Sequence, residues 1–413
     1  MKRFTFVFLL VCNSWLAFSQ ELIKSHIQST AVSINADELR SDDSDFVAIG
    51  KAIGDARVVM LGEQDHGDAA TFQIKSRLVK YLYNKLGFDV LVFESDFCGL
   101  TEGWNLVNQG LLPFDQLIAE NIFHVWTDCP QNRALFEFAK KSLASERPLI
   151  LAGIDPTRSF GYSRKAIENI ESDLNSYDIP FVSTKSFGTQ LLPVLKALVE
   201  NPYPTEVDKS SYPLAILQLD TLLQGLKVRG KVNTITFMVL SNLQSSMTLM
   251  LRNDYFGKMQ IRDSMMAENL AWLSDVKFAE KKIVVWAASY HIAKCEGDKI
   301  RHRNMGSRFV STANRERESY VIGFTSYEGD TKNWDGTSYK FSSPEKESVE
   351  GWLFQKGYSA AFFDFKSFRR RYAKVNDTFY MAGIRHLQQL DNWPLFYDGI
   401  IYLKSMYPCS EMK

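Results

Sequence analysis

The sequence predicts an α/β protein: a mostly parallel sheet with helices on both faces and a helical insertion that forms a wall of an active-site cleft. Three observations predict it. Short apolar, β-branched runs recur along the chain, each ending at or leading to a polar residue. Helical patterns separate these runs, so successive strands are joined by crossovers and run parallel. The stretch from about 163 to 274 has almost no strand signal and reads as several consecutive helices.

The first run is Arg57-Val58-Val59-Met60-Leu61-Gly62, ending at Glu63. A helix is expected from about Ala69 to Leu86, because Phe72, Leu78, Val79, Leu82 and Leu86 fall on one stripe. Gly87 follows as a C-cap glycine would. Asp89-Val90-Leu91-Val92-Phe93 ends at Glu94 and completes a βαβ unit. Later runs are Pro148 to Ile154 ending at Asp155, Lys282 to Ala287 leading to His291, Tyr320 to Phe324, and Asp398 to Leu403. Continuous apolar strands of this kind belong to a sheet covered on both faces. The insertion carries apolar runs at Leu191 to Leu198, Leu214 to Leu226 and Phe237 to Leu251. It is too long for one crossover helix, and is expected beside the carboxyl edge of the sheet, where it shapes the substrate pocket. On this reading, deleting it abolishes activity and leaves the sheet folded.

The 413 residues are 45% hydrophobic, with 48 basic and 48 acidic side chains. That is an ordinary globular composition, long enough for a sizeable core. A net charge of zero argues against a nucleic-acid or anionic-membrane partner. Residues 1–19 read as a secretory signal peptide: Lys2 and Arg3 precede an apolar stretch that ends at the small-x-small pattern Ala17-Phe18-Ser19. The apolar run falls short of the roughly 20 residues that span a bilayer. The expectation is one exported domain, 20–413, periplasmic or extracellular, with no membrane segment in the mature form. Export permits disulfides. Cys98, Cys129, Cys295 and Cys409 allow three pairings or free thiols, and none forms a C-x-x-C pair.

Ligand sites in open parallel sheets lie beyond the carboxyl ends of the strands. The run ends bring Glu63 with His66, Glu94, Asp155 and His291 to that edge. The sharpest local signal is Gly62-Glu63-Gln64-Asp65-His66-Gly67, a polar turn bracketed by glycines between a strand and a helix. A histidine paired with a carboxylate there can take a proton from water near neutral pH, with Glu94 on the neighbouring strand orienting the histidine or the water. Asp155 reads more simply as a satisfied strand-end residue or a substrate contact. Arg77 reads as a carboxylate partner within the site or a surface charge. The chain has no Gly-x-Ser-x-Gly elbow, P-loop, Gly-x-Gly-x-x-Gly or His-Glu-x-x-His. A hydrolase on this sequence therefore uses activated water and not a serine acyl-enzyme.

These residues resemble the erythromycin esterases and their relatives, some of which are linked to polysaccharide biosynthesis. The family's Gly-Glu-x-x-His-Gly turn is matched by Gly62 to Gly67, its Gly-Phe pair by Gly87-Phe88, and its strand ending in Glu by Glu94. Its Arg-Asp-x-x-Met-Ala-Glu-Asn signature stands complete at Arg262 to Asn269. Trp286-Ala287 leading to His291, Met305-Gly306-Ser307, Ile322-Gly323-Phe324 and Asp398 to Ile401 follow in order. The resemblance implies hydrolysis of a small-molecule ester without a required metal, His66 as the base that activates water, and Glu63, Glu94 and His291 in one cleft. Two features depart from it. Ala288 stands where macrolide-cleaving members usually carry a second histidine, and Gln64-Asp65 is larger and more acidic than the small residues common there. Macrolactones and acylated sugars are the substrates considered. In the Met-Ala-Glu-Asn block, Met265, Met266, Leu270 and Leu273 have core spacing, and Glu268 and Asn269 read as satisfying buried backbone.

Two other readings use the same residues. Glu63, His66, Glu94 and His291 are plausible ligands for a divalent ion. Ala288 is compatible with an exported binding protein that kept the pocket and lost catalysis.

Overall fold

The computed structural model describes residues 20–35, 43–157, 166–200, 209–296, 302–341, 346–373 and 378–410. The expected signal peptide, 1–19, lies outside them, as do the insertion residues 163–165 and 201–208. Among the described residues no helix is long and apolar enough to cross a membrane.

Nine strands form one sheet: β1 (Val32–Ser33), β2 (Val58–Leu61), β3 (Phe88–Asp96), β4 (Ile150–Asp155), β5 (Lys282–Trp286), β6 (Ser319–Lys332), β7 (Ser338–Phe341), β8 (Ala360–Asp364) and β11 (Gly399–Met406), in the order β1-β8-β11-β6-β2-β5-β3-β4 with β7 on β6. The six strands from β11 to β4 are mutually parallel. β8 pairs antiparallel with β1 and β11, and β7 pairs antiparallel with β6. A separate hairpin joins β9 (Phe379–Ile384) to β10 (Leu387–Asp391).

Alternation along the parallel strands divides the interior into two cores. Val58, Met60, Val90, Val92, Ile283 and Val285 face one, and Val59, Leu61, Leu91, Phe93, Val284 and Trp286 face the other. Helix α1 (Ala69–Leu86) lies on the second face and ends at Gly87 in the left-handed region, φ 75°. Between β4 and β5 the described residues hold helices and no strand: α2 (Ala166–Ser176), α3 (Leu192–Glu200), α4 (Tyr212–Val228), α5 (Ile235–Leu251) and α6 (Tyr255–Trp272), with shorter turns between them. Leu219, Leu222, Leu243, Met266 and Leu270 of these helices share the first core with the strands. The segment is therefore the cover of one sheet face as well as a wall of the cleft. Deleting it would expose that core, so loss of the fold replaces the selective loss of activity expected from the sequence.

The chain leaves β2, passes over the place of β5 to β3 and β4, and returns to place β5 between β2 and β3 before crossing to β6. The strand order thus reverses around β2 and β5, and a crevice opens beyond their carboxyl ends. Cys129 and Cys409 form a disulfide, their Cα atoms 5.2 Å apart and 280 residues apart in sequence, while Cys98 and Cys295 are free. Cys409 N–H also donates to Gly67 O (3.0 Å), so the bond ties the end of the chain to the turn after β2. Replacing both cysteines by serine is expected to cost about 2–5 kcal/mol, the usual loss for a native disulfide closing a long loop. Denaturation midpoints with and without reductant check this.

Candidate active site

The turn after β2 is held by close backbone packing on both glycines. A side chain at Gly62 would collide with Ser289 Oγ, and one at Gly67 would collide with the Lys332 backbone. Neither glycine has a positive φ, so close approach and not unusual dihedrals explains the pair. Within this frame Glu63 is fully buried, and its two oxygens are shared among three donors. Trp126 Nε1 donates to Oε1 (3.1 Å), His66 Nδ1 lies 3.3 Å from the same oxygen, and the Lys75 ammonium bonds Oε2. Acceptance from tryptophan and lysine marks Glu63 as an ionised acceptor, so His66 Nδ1 carries the proton and Nε2 keeps its lone pair. The imidazole is packed edge-on against Phe123 and Trp126, with centroids 6.0 and 5.8 Å away.

Lys75 is completely buried, its ammonium 4.1 Å over the Trp286 ring. Burial pulls it down to about 8 despite the opposing charges of Glu63, Glu94 and Asp68. Burial also works against charge on His66. The hydrogen bond to Glu63, with the charges of Glu94, Glu63 and Asp65, outweighs it and raises the imidazole above its ordinary value.

A second cluster faces this one. β3 carries one extra residue against β4 between the pairs Phe93–Gly153 and Asp96–Asp155, a bulge that includes Glu94. Glu94 accepts from Arg262 Nη2 (2.8 Å) and from Ala288 N–H (2.9 Å), and His291 Nε2 is 3.3 Å away. Burial alone would raise its carboxyl, but His291, Arg262 and His66 hold it down at about 2. Arg262, on α6, also donates twice to Asp155 Oδ2, Nε at 3.0 Å, and places Nη1 3.0 Å from His291 Nε2. Behind His291, Asp263 faces Nδ1 at 2.6 Å and His302 Nε2 at 2.7 Å, and accepts Met305 N–H at 3.1 Å. Burial lowers the His291 imidazole, but Glu94 and Asp263 raise it by more.

His66, Glu94, Arg262, Ala288 and His291 line one cleft of about 750 Å³. Its outer walls are Tyr255, Phe256 and Met259 of α6, Phe123, Tyr290, Trp334, and Ile384, Arg385 and Leu387 of the β9–β10 hairpin. Glu63 stands behind His66 and does not itself line the space. Asp155 is buried against Arg262, so it orients the guanidinium and does not meet a ligand directly. Arg77 is elsewhere. It pairs with Asp45 (3.1 Å) and donates to Asn35 O (2.5 Å), outside the cleft, so the suggested role in the site falls to Lys75. The two residues are about 200° apart around α1 at 100° per residue.

Arg262 and Asp263 were not singled out from the sequence, although the complete eight-residue signature was visible. Its apolar members do pack in the core, with Met266 and Leu270 fully buried, and Asn269 Nδ2 does satisfy backbone, donating to Ile154 O at 2.8 Å. Those roles absorbed the block and hid its first two residues. Lys75 left a signal too: it stands on the apolar stripe of α1, three residues from both Phe72 and Leu78.

As to a metal, no three His, Cys, Asp or Glu side chains among the described residues are grouped as a metal ligand set. The charges explain why these residues fit a cation poorly. Arg262 already stands between Glu94 and His291, and Lys75 already saturates Glu63. A dication there would face two resident cations.

Comparison with known proteins agrees with this architecture. An erythromycin esterase family model matches residues 239–404. YbfO of Bacillus subtilis, named only provisionally as a hydrolase, is 25% identical over 455 aligned positions that cover 100% of this chain and 99% of that protein. Erythromycin esterase type II of Escherichia coli is 23% identical over 78% of this chain and 84% of its own length. The open conformation of a histidine-to-asparagine variant of erythromycin esterase EreC superposes with a TM-score of 0.69 at 16% identity, covering 93% of this chain and 100% of that one. The chain thus carries a match to the erythromycin esterase family over residues 239–404 and shares the fold of the erythromycin esterase EreC.

Proposed function

We propose that the chain is an exported esterase that activates water with His66 and requires no metal. The observation that carries this is the facing arrangement of the two clusters. His66, its Nδ1 fixed on Glu63, leaves Nε2 for the cleft, and Glu94, Arg262 and His291 line the opposite side. In this reading Nε2 accepts a proton from water as the water oxygen attacks the ester carbonyl. The Arg262 guanidinium stabilises charge developing on the carbonyl oxygen. His291 then protonates the departing alkoxide, which leaves the acid and the alcohol as products. Glu63 stabilises the imidazolium that forms on His66, and Lys75 holds the other oxygen of Glu63 in place. Asp263 fixes the ring orientation of His291. The Cys129–Cys409 disulfide supports export, since such bonds persist in oxidising compartments.

A base must be deprotonated to act, and the Glu63 and Glu94 charges keep the His66 proton on to higher pH. Activity therefore falls as pH drops through a folded value above 6.5. The test is kcat/KM on an activated ester as a function of pH, before and after exhaustive chelation. One ascending limb centred above pH 6.5, unchanged by the chelator, is expected. Loss of activity on chelation, restored by a divalent ion, would replace this mechanism with a metal-dependent one.

A further inference from the structure

Six acidic, basic or histidine side chains line the cleft: Asp65, His66, Glu94, Arg262, His291 and Arg385. Five have partners. Asp65 accepts the Tyr339 hydroxyl (2.8 Å), His66 holds Glu63, and Arg262 is shared among Glu94, Asp155 and His291. Arg385 is different. Its side chain is exposed and makes no hydrogen bond or ion pair among the described residues. An exposed arginine would ordinarily be a solvated surface charge, but its backbone sets this one apart.

Arg385 and His386 are the two central residues of the β9–β10 hairpin, with Ile384 paired to Leu387, and both have positive φ, 53° and 50°. A two-residue turn of this type favours Asn-Gly or Asp-Gly. Arg-His is strained at both positions and persists only where surrounding contacts impose it. Here the contacts are built. Arg385 N–H donates to Gln64 O (3.1 Å), in the same turn as His66. His386, fully buried in its side chain, bonds Asp68 through Nε2 (2.9 Å) and stacks on Phe341 with centroids 4.1 Å apart. Asp68 in turn accepts Asp65 N–H (2.9 Å) and the Thr331 hydroxyl (2.6 Å). The strained turn is thus pinned to the loop that carries His66, and what it presents to the cleft is an unpaired guanidinium. Around it stand large exposed apolar side chains, Trp334 at 55%, Leu387 at 50%, Tyr255 at 62% and Phe256 at 46%, all lining the same cleft. Apolar surface left in water beside one unpaired cation is complementary to a ligand with an apolar body and a negative charge.

We infer that Arg385 is the specificity-determining residue of this cleft and that the substrate is an anionic ester, its carboxylate or other acidic group held by the Arg385 guanidinium while the ester bond lies beside His66. This rests on the esterase reading above and names its substrate class. An arginine–anion pair in a partly desolvated cleft discriminates by about ten- to a hundredfold.

The test uses two matched pairs of esters: mono(para-nitrophenyl) adipate against para-nitrophenyl hexanoate, charged on the acyl side, and para-(butyryloxy)benzoate against its methyl ester, charged on the alcohol side. Each is assayed with the wild-type protein, Arg385→Gln and Arg385→Lys. In at least one pair the wild type should favour the anion by about tenfold or more in kcat/KM. Arg385→Gln should lose that preference mainly through KM and leave the neutral esters within about twofold, and Arg385→Lys should keep part of it. Equal use of charged and neutral esters by the wild type, or a preference that Arg385→Gln retains, overturns the assignment while ester hydrolysis stands. If no ester is turned over, the esterase reading falls and thermal stabilisation by the same two anions decides the inference. Stabilisation that Arg385→Gln abolishes upholds Arg385, and its absence overturns it.

Discussion

Replacing His66 by asparagine is expected to lower kcat/KM by at least about a hundredfold, the scale on which a general base contributes. Asparagine is the informative choice. Its amide can still donate to Glu63, so the carboxylate that also holds Trp126 and Lys75 is not abandoned. What disappears is the basic lone pair aimed at the cleft. The fold should survive because the imidazole is partly exposed, 18%, and packs only by its edges against Phe123 and Trp126. A steady-state assay with circular dichroism as control decides the matter. If the variant retains more than about a tenth of the wild-type rate, proton abstraction belongs to another group. The alternative base, His291, holds Asp263 through Nδ1 and meets Arg262 and Glu94 through Nε2, on the side of the cleft assigned to the leaving alkoxide.

The parallel strands were legible because burial on both faces writes them as unbroken apolar runs. β2, β4, β5 and β11 begin and end within two or three residues of the runs that announce them. β8, β9 and β10 were not anticipated. Ala360–Asp364 is short, with Phe362 and Phe363 directed to opposite faces, and the hairpin 379–391 pairs a mostly buried strand with a mostly exposed one and has no glycine at its turn. The usual sign of a two-residue hairpin is therefore missing at the position where strain brings Arg385 to the cleft. The same division holds at the site. His66, Glu63, Glu94 and His291 stand at strand ends, where topology alone gathers them. Lys75, Trp126, Arg262 and Asp263 come from helices and loops, and their convergence depends on how those elements pack. A lone lysine on an apolar stripe and an intact Arg-Asp signature were the traces they left.

Replacing Arg262 by methionine should abolish measurable turnover and destabilise the protein by about 3–5 kcal/mol at neutral pH, the cost of leaving a buried ion partner uncompensated. Two carboxylates, Glu94 and Asp155, are 2% and 3% exposed and share this one guanidinium, so its removal leaves both without their cation. Lysine should not restore the wild type. A single ammonium cannot reproduce a fork that reaches Glu94, Asp155 and His291 together. The pH dependence separates this electrostatic account from simple loss of packing. In the wild type Glu94 is held down at about 2, below its value of 4.5 in the unfolded chain. Its contribution is therefore complete above 4.5 and disappears as pH falls toward 2. In the variant one of its opposing cations is gone, with His291 and His66 left, so burial pushes Glu94 upward and protonation weakens the folded state less than in the wild type. The stability gap between wild type and Arg262→Met should accordingly be widest near neutrality and narrow as pH approaches about 3. Urea denaturation at the two pH values measures it. A gap of constant width would mean that the arginine acts through its packing against the cleft wall, and the charge-based account of the Glu94–Arg262–Asp155 cluster would have to be given up.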